Sequence, residues 1–536
     1  MLEDNALLSR IVSRFHLMVT VVVALLGAAL LGISAGEGDF FSIYVGLFGA
    51  AFIALMLALG DKYWMVIPFA FTSQLPALPI KGRLLELPEI TAVLCSLMFL
   101  IRYAVKRQTL SIFHKQHAWI LLYVAWVALV FAFHPVGLSS FGEGGGALGG
   151  ARFYAKILLA LASFLIMANQ QLTEKDCKWI LIILIVGSCL DSAYTISLFF
   201  LPGGLGVNVE LAADPDSFYS WHQSLAIVPG LLICLGFARY RASEMFSFNR
   251  LWVGIGFAFC VILIAMSGKR AAIAAVPVFA ISAAFLRKEW GYLMLWLTGA
   301  VLASAIIMLG HGELFEFPLT VQRAFSVLPA KWSSELGDMA GGQDAFRQEL
   351  RRQAIKKIEL DPWIGTGYQV DLSLAQALTA QYATRGGDTE LQATPCALGS
   401  AWHNTWLGYA ADFGIPFDFI AAMIYLTVIL QGIKLMKVFP IHSFAGVLSM
   451  YILLFTIRRL AVSHTAGHTA LEPFSFWWSY GVHVALALRR PAAAPQGPTV
   501  GHWNPTSPAR FAPSGRGRAL AGGLPANSVP ARNVHH

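Results

Sequence analysis

The feature of this chain that most restricts its fold is a series of long apolar stretches separated by shorter polar ones. A helix needs about 20 apolar residues to cross the hydrocarbon core of a bilayer. Inside lipid each backbone polar group must find its partner within the protein, so such stretches form helices. Fourteen stretches come close to this length: 15–35, 40–60, 63–80, 86–104, 117–134, 151–170, 179–201, 221–239, 251–267, 270–286, 291–310, 404–433, 441–457 and 473–488. The sequence therefore predicts an all-α polytopic membrane protein.

Proline decides how many of these stretches span the membrane. Pro68, Pro76 and Pro79 lie in the third stretch and Pro88 lies in the fourth. Proline breaks or kinks a helix because it removes a backbone donor. A broken or re-entrant third stretch, which also affects the fourth, leaves about twelve spans, so we expect about 12–14 transmembrane helices.

The composition excludes the soluble classes of protein. Hydrophobic residues make up 57% of the chain and charged residues 13%, whereas soluble globular proteins carry about 25% charged residues. From Arg489 onward there are six arginines and no acidic residue, so most of the formal net charge of +8 belongs to the C-terminal tail. The sequence thus excludes a water-soluble enzyme, a disordered chain and a nucleic-acid-binding domain.

Lysine and arginine in the short loops orient the chain, because cytoplasmic loops of membrane proteins are enriched in both. With both termini in the cytoplasm, the inner side receives Arg10, Arg14, Lys62, Arg102, Lys106, Arg107, Lys115, Lys175, Lys178, Arg239, Arg241, Arg250, Arg287, Lys288, Lys434, Lys437, Arg489 and Arg490. The prediction is an N-terminal transmembrane bundle (1–310), a large periplasmic loop (311–403), C-terminal transmembrane helices (404–490) and a disordered basic cytoplasmic tail (491–536).

Some basic residues fall on the outer side, against this rule. Lys269 and Arg270 form an outer turn, Arg458 and Arg459 follow a later span, and more basic residues crowd positions 347–357 of the large loop. External positive charge opposes the insertion bias and indicates an anionic ligand at the outer face. Contact with lipid headgroups is the alternative interpretation.

The large loop contains a predicted helix over residues 343–360. Phe346, Leu350, Ala354 and Ile358 recur every four positions, which is typical of one apolar helical stripe. Arginines four residues apart would share an adjacent face, turned either toward a cavity or toward solvent.

Turn-forming and polar residues follow this helix. Pro362 ends it, and Gly365 and Gly367 permit a tight turn. The loop closes with His403 and Asn404, directly before a span. Histidine suits proton transfer near neutral pH, and asparagine is a favoured helix cap. A hydrogen-bonded polar role without catalysis is the alternative for His403.

Taken in order, these features resemble the O-antigen ligase / O-antigen polymerase superfamily of bacterial envelope glycosyltransferases. They are many spans, Ser-Gly-Lys-Arg at an outer turn, a span pair, an Arg-bearing loop helix running into Pro-x-x-Gly-x-Gly, a terminal His-Asn and a following Gly-Ile. The resemblance covers about residues 200–435. Lys269-Arg270-Ala271 departs from the family's usual Ser-Arg-Gly, and Arg351 stands where its loop helix often carries Trp.

The resemblance implies an inverting, metal-independent glycosyltransferase without a cofactor. Such enzymes take a glycan from undecaprenyl diphosphate at the periplasmic face of the bacterial inner membrane and join it to an acceptor sugar hydroxyl. On this chain, Arg270 and Arg347 would bind the diphosphate with help from Lys269 and Arg351, because the planar guanidinium binds phosphate oxygens in pairs. His403 would activate or orient the acceptor hydroxyl.

The sequence leaves several alternatives open. The acceptor is lipid A–core oligosaccharide for a ligase, which the single late loop favours, or another lipid-linked repeat for a polymerase. A transporter or flippase would also have many spans, but we find no convincing internal repeat of the kind that transporters show. His222, His464 and His468 are further histidines that this topology places outside, and the oligomeric state is open.

Overall fold

The computed structural model describes residues 54–56, 58–73, 78–80, 83–106, 118–136, 150–200, 225–245, 247–368, 404–462 and 471–489. Its α-helices are α1 (Val66–Ser73), α2 (Leu87–Lys106), α3 (Ala118–Phe133), α4 (Ala151–Ala168), α5 (Glu174–Phe200), α6 (Ile227–Arg239), α7 (Ala242–Met245), α8 (Leu251–Met266), α9 (Arg270–Leu286), α10 (Trp290–Gly310), α11 (Leu319–Phe325), α12 (Ser334–Leu360), α13 (Thr405–Phe413), α14 (Ile415–Val438), α15 (Phe444–Ala461) and α16 (Leu471–Leu488).

The predicted fold class is confirmed. Within the described residues, seven helical segments are long and apolar enough to cross a membrane, and three shorter apolar helices accompany them, namely α3, α6 and α9. The first predicted span and most of the second lie outside the described residues, so the total of 12–14 spans stays a prediction.

The third predicted span is broken. A 3₁₀ turn over Gly60–Met65 leads into α1, which ends at Ser73. Two short antiparallel strands follow, β1 (Leu78–Ile80) and β2 (Arg83–Leu85). Pro76 and Pro79 cannot donate to helical hydrogen bonds, so this stretch forms a helix and a hairpin instead of one continuous span.

One predicted span is not a single continuous helix. The apolar stretch 404–433 forms two helices, α13 and α14, which meet at Gly414. Gly414 has φ +81°, a left-handed conformation that glycine adopts without steric cost. Pro416 lies in the first turn of α14, where proline is well tolerated.

Helix burial separates a central group from a peripheral group. In α4 and in α15, 61% of the span residues are buried, whereas only 11% are buried in α10. Gly481 of α16 lets the helix approach α4 so closely that an added methyl group would lie 2.7 Å from Phe164 and Met167. Small residues at such crossings are typical of membrane helix pairs, and apolar side chains on the outer helices are expected where lipid covers them.

Ion pairs join several of the predicted cytoplasmic loops at one end of the helices. Lys62 lies 2.6 Å from Asp176 at the start of α5, and Arg489 lies 3.2 Å from Glu174. The same Glu174 accepts from the backbone of Ala445 at the start of α15. These basic residues therefore share one end, as the orientation rule predicts. The compartment that this end faces stays a prediction.

The contacts within the chain separate a unit Met1–Arg489 from a C-terminal unit Arg490–His536. The tail predicted over 491–536 lies outside the described residues, and its disorder stays a prediction.

Candidate active site

The predicted apolar stripe of the loop helix is present and packs against another helix. Leu350 and Ala354 of α12 are each 1% exposed and pack against Ala411 of α13, with Phe346 and Ile358 at the edges of the contact. The helix predicted over 343–360 is longer, since α12 begins at Ser334. Its position relative to the membrane domain is thus fixed by hydrophobic packing against α13.

The turn after α12 lies against the break between α13 and α14. Backbone N–H groups of Thr366 and Gly367 donate to the carbonyl oxygens of Ala411 and Asp412, at 3.2 and 2.8 Å. Gly365 has φ +73° and Gly367 has φ +64°. A methyl group on Gly365 would lie 2.5 Å from the backbone nitrogens of Phe413 and Gly414, so only glycine fits at this position.

Helix α12 ends at Leu360, directly before Asp361 and Pro362, as the sequence predicts. The amide of Ile415 donates to the Pro362 carbonyl oxygen at 2.8 Å, across the same contact. Pro362 therefore both follows the end of α12 and supplies an acceptor to the start of α14.

Tyr368 anchors the turn in the membrane domain. Its side chain is 2% exposed and contacts the rings of Phe153, Tyr154 and Phe413. Burial raises the pKa of the Tyr368 phenol well above its ordinary value, and the nearby carboxylate of Asp412 acts in the same direction. The Tyr368 ring packs the turn against aromatic side chains of the membrane domain.

Part of the basic run of α12 is engaged in ion pairs. Lys357 lies 2.9 Å from the fully buried carboxylate of Asp412, and Arg352 forms a pair of 2.7 Å hydrogen bonds with Glu349. Arg347 and Arg351 are exposed. The predicted diphosphate ligand Arg347 and its predicted helper Arg351 therefore lie on an accessible face of α12.

The Ser-Gly-Lys-Arg turn joins α8 to α9. Gly268 has φ +67°, and the Ser267 hydroxyl accepts from the Lys269 amide at 3.2 Å. A methyl group on Gly268 would lie 3.2 Å from the Thr320 carbonyl oxygen and 3.6 Å from Cδ of Arg323. Helix α11 therefore lies directly over this turn.

Helix α11 connects the two groups of predicted diphosphate ligands. It packs against α8 and α9, which flank Lys269 and Arg270, and against α12, which carries Arg347 and Arg351. The structure thus places the ligands on elements that share a neighbour. That they bind one diphosphate stays a prediction.

The predicted catalytic residue, His403, lies outside the described residues, as do His222, His464 and His468. The next residue, Asn404, is the N-cap of α13. Its side-chain oxygen accepts from the amides of Trp406 and Leu407 at 3.1 and 3.2 Å, which confirms the predicted cap.

Sequence reasoning missed two residues of this region. Arg323 lies beside the Ser-Gly-Lys-Arg turn. It is a basic residue in the predicted outer loop, where positive charge is unusual, so the sequence does contain a signal for it. Asp412 pairs with Lys357 across 55 positions, and no local pattern marks that contact.

Comparison with known proteins gives a family match in this part of the chain. Residues 255–416 match the family model described as O-antigen ligase, and a search of curated proteins with the whole chain gives no match. The matched region contains the Ser-Gly-Lys-Arg turn, α11, α12, the glycine turn and α13. The resemblance to the O-antigen ligase / O-antigen polymerase superfamily is thereby confirmed for residues 255–416, which match the O-antigen ligase family model.

Proposed function

We propose that this protein transfers a glycan from undecaprenyl diphosphate to an acceptor sugar hydroxyl at the periplasmic face of the bacterial inner membrane. The observation that carries the proposal is the O-antigen ligase match over 255–416. It spans both the outer turn with Lys269 and Arg270 and the loop helix with Arg347 and Arg351.

The proposed step is a single displacement with inversion. The acceptor hydroxyl oxygen forms a bond to the anomeric carbon as the bond from that carbon to the diphosphate oxygen breaks. The hydroxyl proton passes to His403, and the lipid diphosphate leaves with its electron pair. Arg270 and Arg347 hold the developing charge, with Lys269 and Arg351 beside them. Fixed cations aimed at a developing anion are among the largest contributions to catalysis.

No metal or nucleotide is required in this proposal. The donor is already activated as a diphosphate, and guanidinium groups supply the charge that a divalent cation supplies in other phosphate sites. Purified protein should therefore remain active in EDTA. Activity that is lost in EDTA and restored by magnesium or manganese would contradict the metal-independent mechanism.

The acceptor defines the function more closely, and a ligase that uses lipid A–core oligosaccharide is the version we favour. A deletion strain distinguishes it from the polymerase alternative. Loss of capped lipopolysaccharide with accumulated lipid-linked polymer indicates a ligase, whereas single repeats without polymer indicate a polymerase. Purified protein that consumes lipid-linked glycan without an ion gradient excludes a transporter or flippase.

The diphosphate ligands are tested by substitution. Arg270→Ala and Arg347→Ala should each reduce donor use by about tenfold or more, because hydrogen bonds to charged groups are the strong ones. The lysine variants should also lose activity, since they keep the charge but not the paired geometry. Arg352→Ala is the matched control on α12, because Arg352 is already paired with Glu349. Near-normal turnover in both alanine variants would remove Arg270 and Arg347 from the site.

A further inference from the structure

Two large apolar side chains are exposed where the loop helix ends. Leu360, the last residue of α12, is 82% exposed, and Trp363 in the following turn is 71% exposed. Both lie outside the candidate membrane-spanning helices. A single exposed apolar residue needs no explanation, but apolar residues that join a larger apolar surface mark a contact with a membrane or with another protein.

Helix α14 provides such a larger surface. Four of its large apolar side chains are exposed, namely Ile415, Phe419, Leu426 and Leu430. They are spaced by four, seven and four positions, which places them on one face of the helix. Helix α14 is long and apolar enough to cross the membrane, and an exposed apolar face on a spanning helix is the face that contacts lipid. This stripe is therefore the lipid-facing side of α14.

The turn that contains Trp363 is attached to the first residues of α14. The Ile415 amide donates to the Pro362 carbonyl oxygen at 2.8 Å. A methyl group on Gly414 would overlap the Trp363 carbonyl oxygen and lie 2.9 Å from the Ile364 nitrogen, so the two backbones are in direct contact. Trp363 thus lies beside Ile415, at the end of the stripe where α14 begins.

We propose that Leu360 and Trp363 insert into the bilayer surface at this end of α14 and anchor the large loop to lipid. Tryptophan suits this place, because its ring prefers the boundary between headgroups and acyl chains. Lipid is favoured over a second protein chain as the partner, since the two side chains continue a stripe that lipid covers. The inference uses only the membrane class of the chain and holds or fails independently of the proposed glycosyl transfer.

The anchor gives α12 a second point of attachment. Its middle is held by Leu350, which packs against Ala411 of α13, and its end is held by Leu360 in the bilayer surface. Two attachments fix the direction of a helix as well as its position. The exposed side chains of Arg347 and Arg351 are then kept at a set distance from the lipid headgroups.

The test uses a fluorescent bimane probe on the full chain in nanodiscs of phosphatidylethanolamine and phosphatidylglycerol. The six native cysteines are replaced, and Trp363→Cys carries the probe. A phospholipid with a nitroxide near the top of its acyl chain should quench the probe. Aqueous iodide should quench it about threefold less than a probe on a water-facing residue, because ions are excluded from the apolar part of the bilayer.

Two control positions calibrate the result. Phe419→Cys places the probe on the lipid-facing stripe of α14. Gln348→Cys places it on an exposed polar residue of α12, two positions from Leu350 and therefore on the side of the helix away from α13. The proposal expects the probe at position 363 to be quenched as at position 419.

The other outcomes contradict the proposal. Quenching at position 363 that equals quenching at position 348 would show that Trp363 faces water. Shielding from both the lipid nitroxide and iodide would show that a protein surface, such as a second copy of this chain, covers Trp363. Leu360→Cys repeats the measurement with Trp363 in place, so the anchor remains testable if Trp363→Cys fails to accumulate in the membrane.

Discussion

Gly365 and Gly414 lie at a close backbone contact of the site, and each has a positive φ. Gly365→Ala would both strain the left-handed backbone and press a methyl group into Phe413 and Gly414 at 2.5 Å. We expect a loss of stability of about 2 kcal/mol or more, because strain and overpacking each cost about 1–3 kcal/mol. The measurement is the thermal unfolding midpoint in detergent.

Gly299→Ala is the control for this substitution. Gly299 lies in the middle of α10, and an added methyl group there meets no atom within 4 Å. Alanine is favoured over glycine inside helices, so this variant should unfold at the same temperature or slightly higher. Equal midpoints for the two variants would show that the glycine contact does not constrain the turn.

His403 carries the most specific prediction at the scale of single residues. Asn404, the residue that follows it in the sequence, is the N-cap of α13. His403→Gln keeps hydrogen bonding but cannot accept a proton at neutral pH. A general base typically contributes about 10²–10⁴ in rate, so turnover should fall by that order while Asn404 still caps the helix.

Turnover of purified His403→Gln measures this directly, with expression and unfolding temperature as controls for folding. Nearly full turnover would show that another residue acts as the general base. His222, His464 and His468 would then be tested in the same way.

Among the elements, α12 determines where the loop arginines stand. Its contact with α13 depends on Leu350, which is 1% exposed, and Ala411. Leu350→Ser should detach α12, because loss of a buried leucine costs about 2–5 kcal/mol. Once detached, α12 should unfold locally more often, so trypsin should cleave after its exposed basic residues faster in the detergent-solubilised protein.

Ile355 provides the matched control on the same helix. It is 43% exposed, so Ile355→Ser removes apolar surface without touching the contact with α13. Its rate of cleavage should equal that of the unaltered protein. If both serine variants are cleaved equally fast, packing against α13 does not hold α12 in place.

At the scale of the whole molecule, the central prediction is the orientation in the membrane. Lys62, Arg489 and the start of α15 share one end of the helices, and cytoplasmic ends carry most lysine and arginine. In a variant without native cysteines, a cysteine replacing Asp338 should react with an impermeant thiol reagent in intact spheroplasts. A cysteine replacing Ser514 should react only after the membrane is permeabilised. The opposite labelling pattern would show that the predicted orientation in the membrane is wrong.

The sequence by itself determined the fold class, the period-four stripe of α12 and the cap at Asn404, because each follows from a local spacing of residue types. It also indicated the charged turn at Lys269, because positive charge in outer loops is visible as a pattern. Each of these signals depends only on residues that are close to one another in the sequence.

Only the tertiary structure decided which of these residues meet. The break at Gly414 lies where the turn at Gly365 packs against the chain. From the sequence alone, the apolar stretch 404–433 is predicted as one continuous span, because nothing within it indicates that another segment packs there. Asp412 pairs with Lys357 across 55 positions. No periodicity encodes such contacts, because they arise from helices that pack side by side after distant parts of the chain have come together.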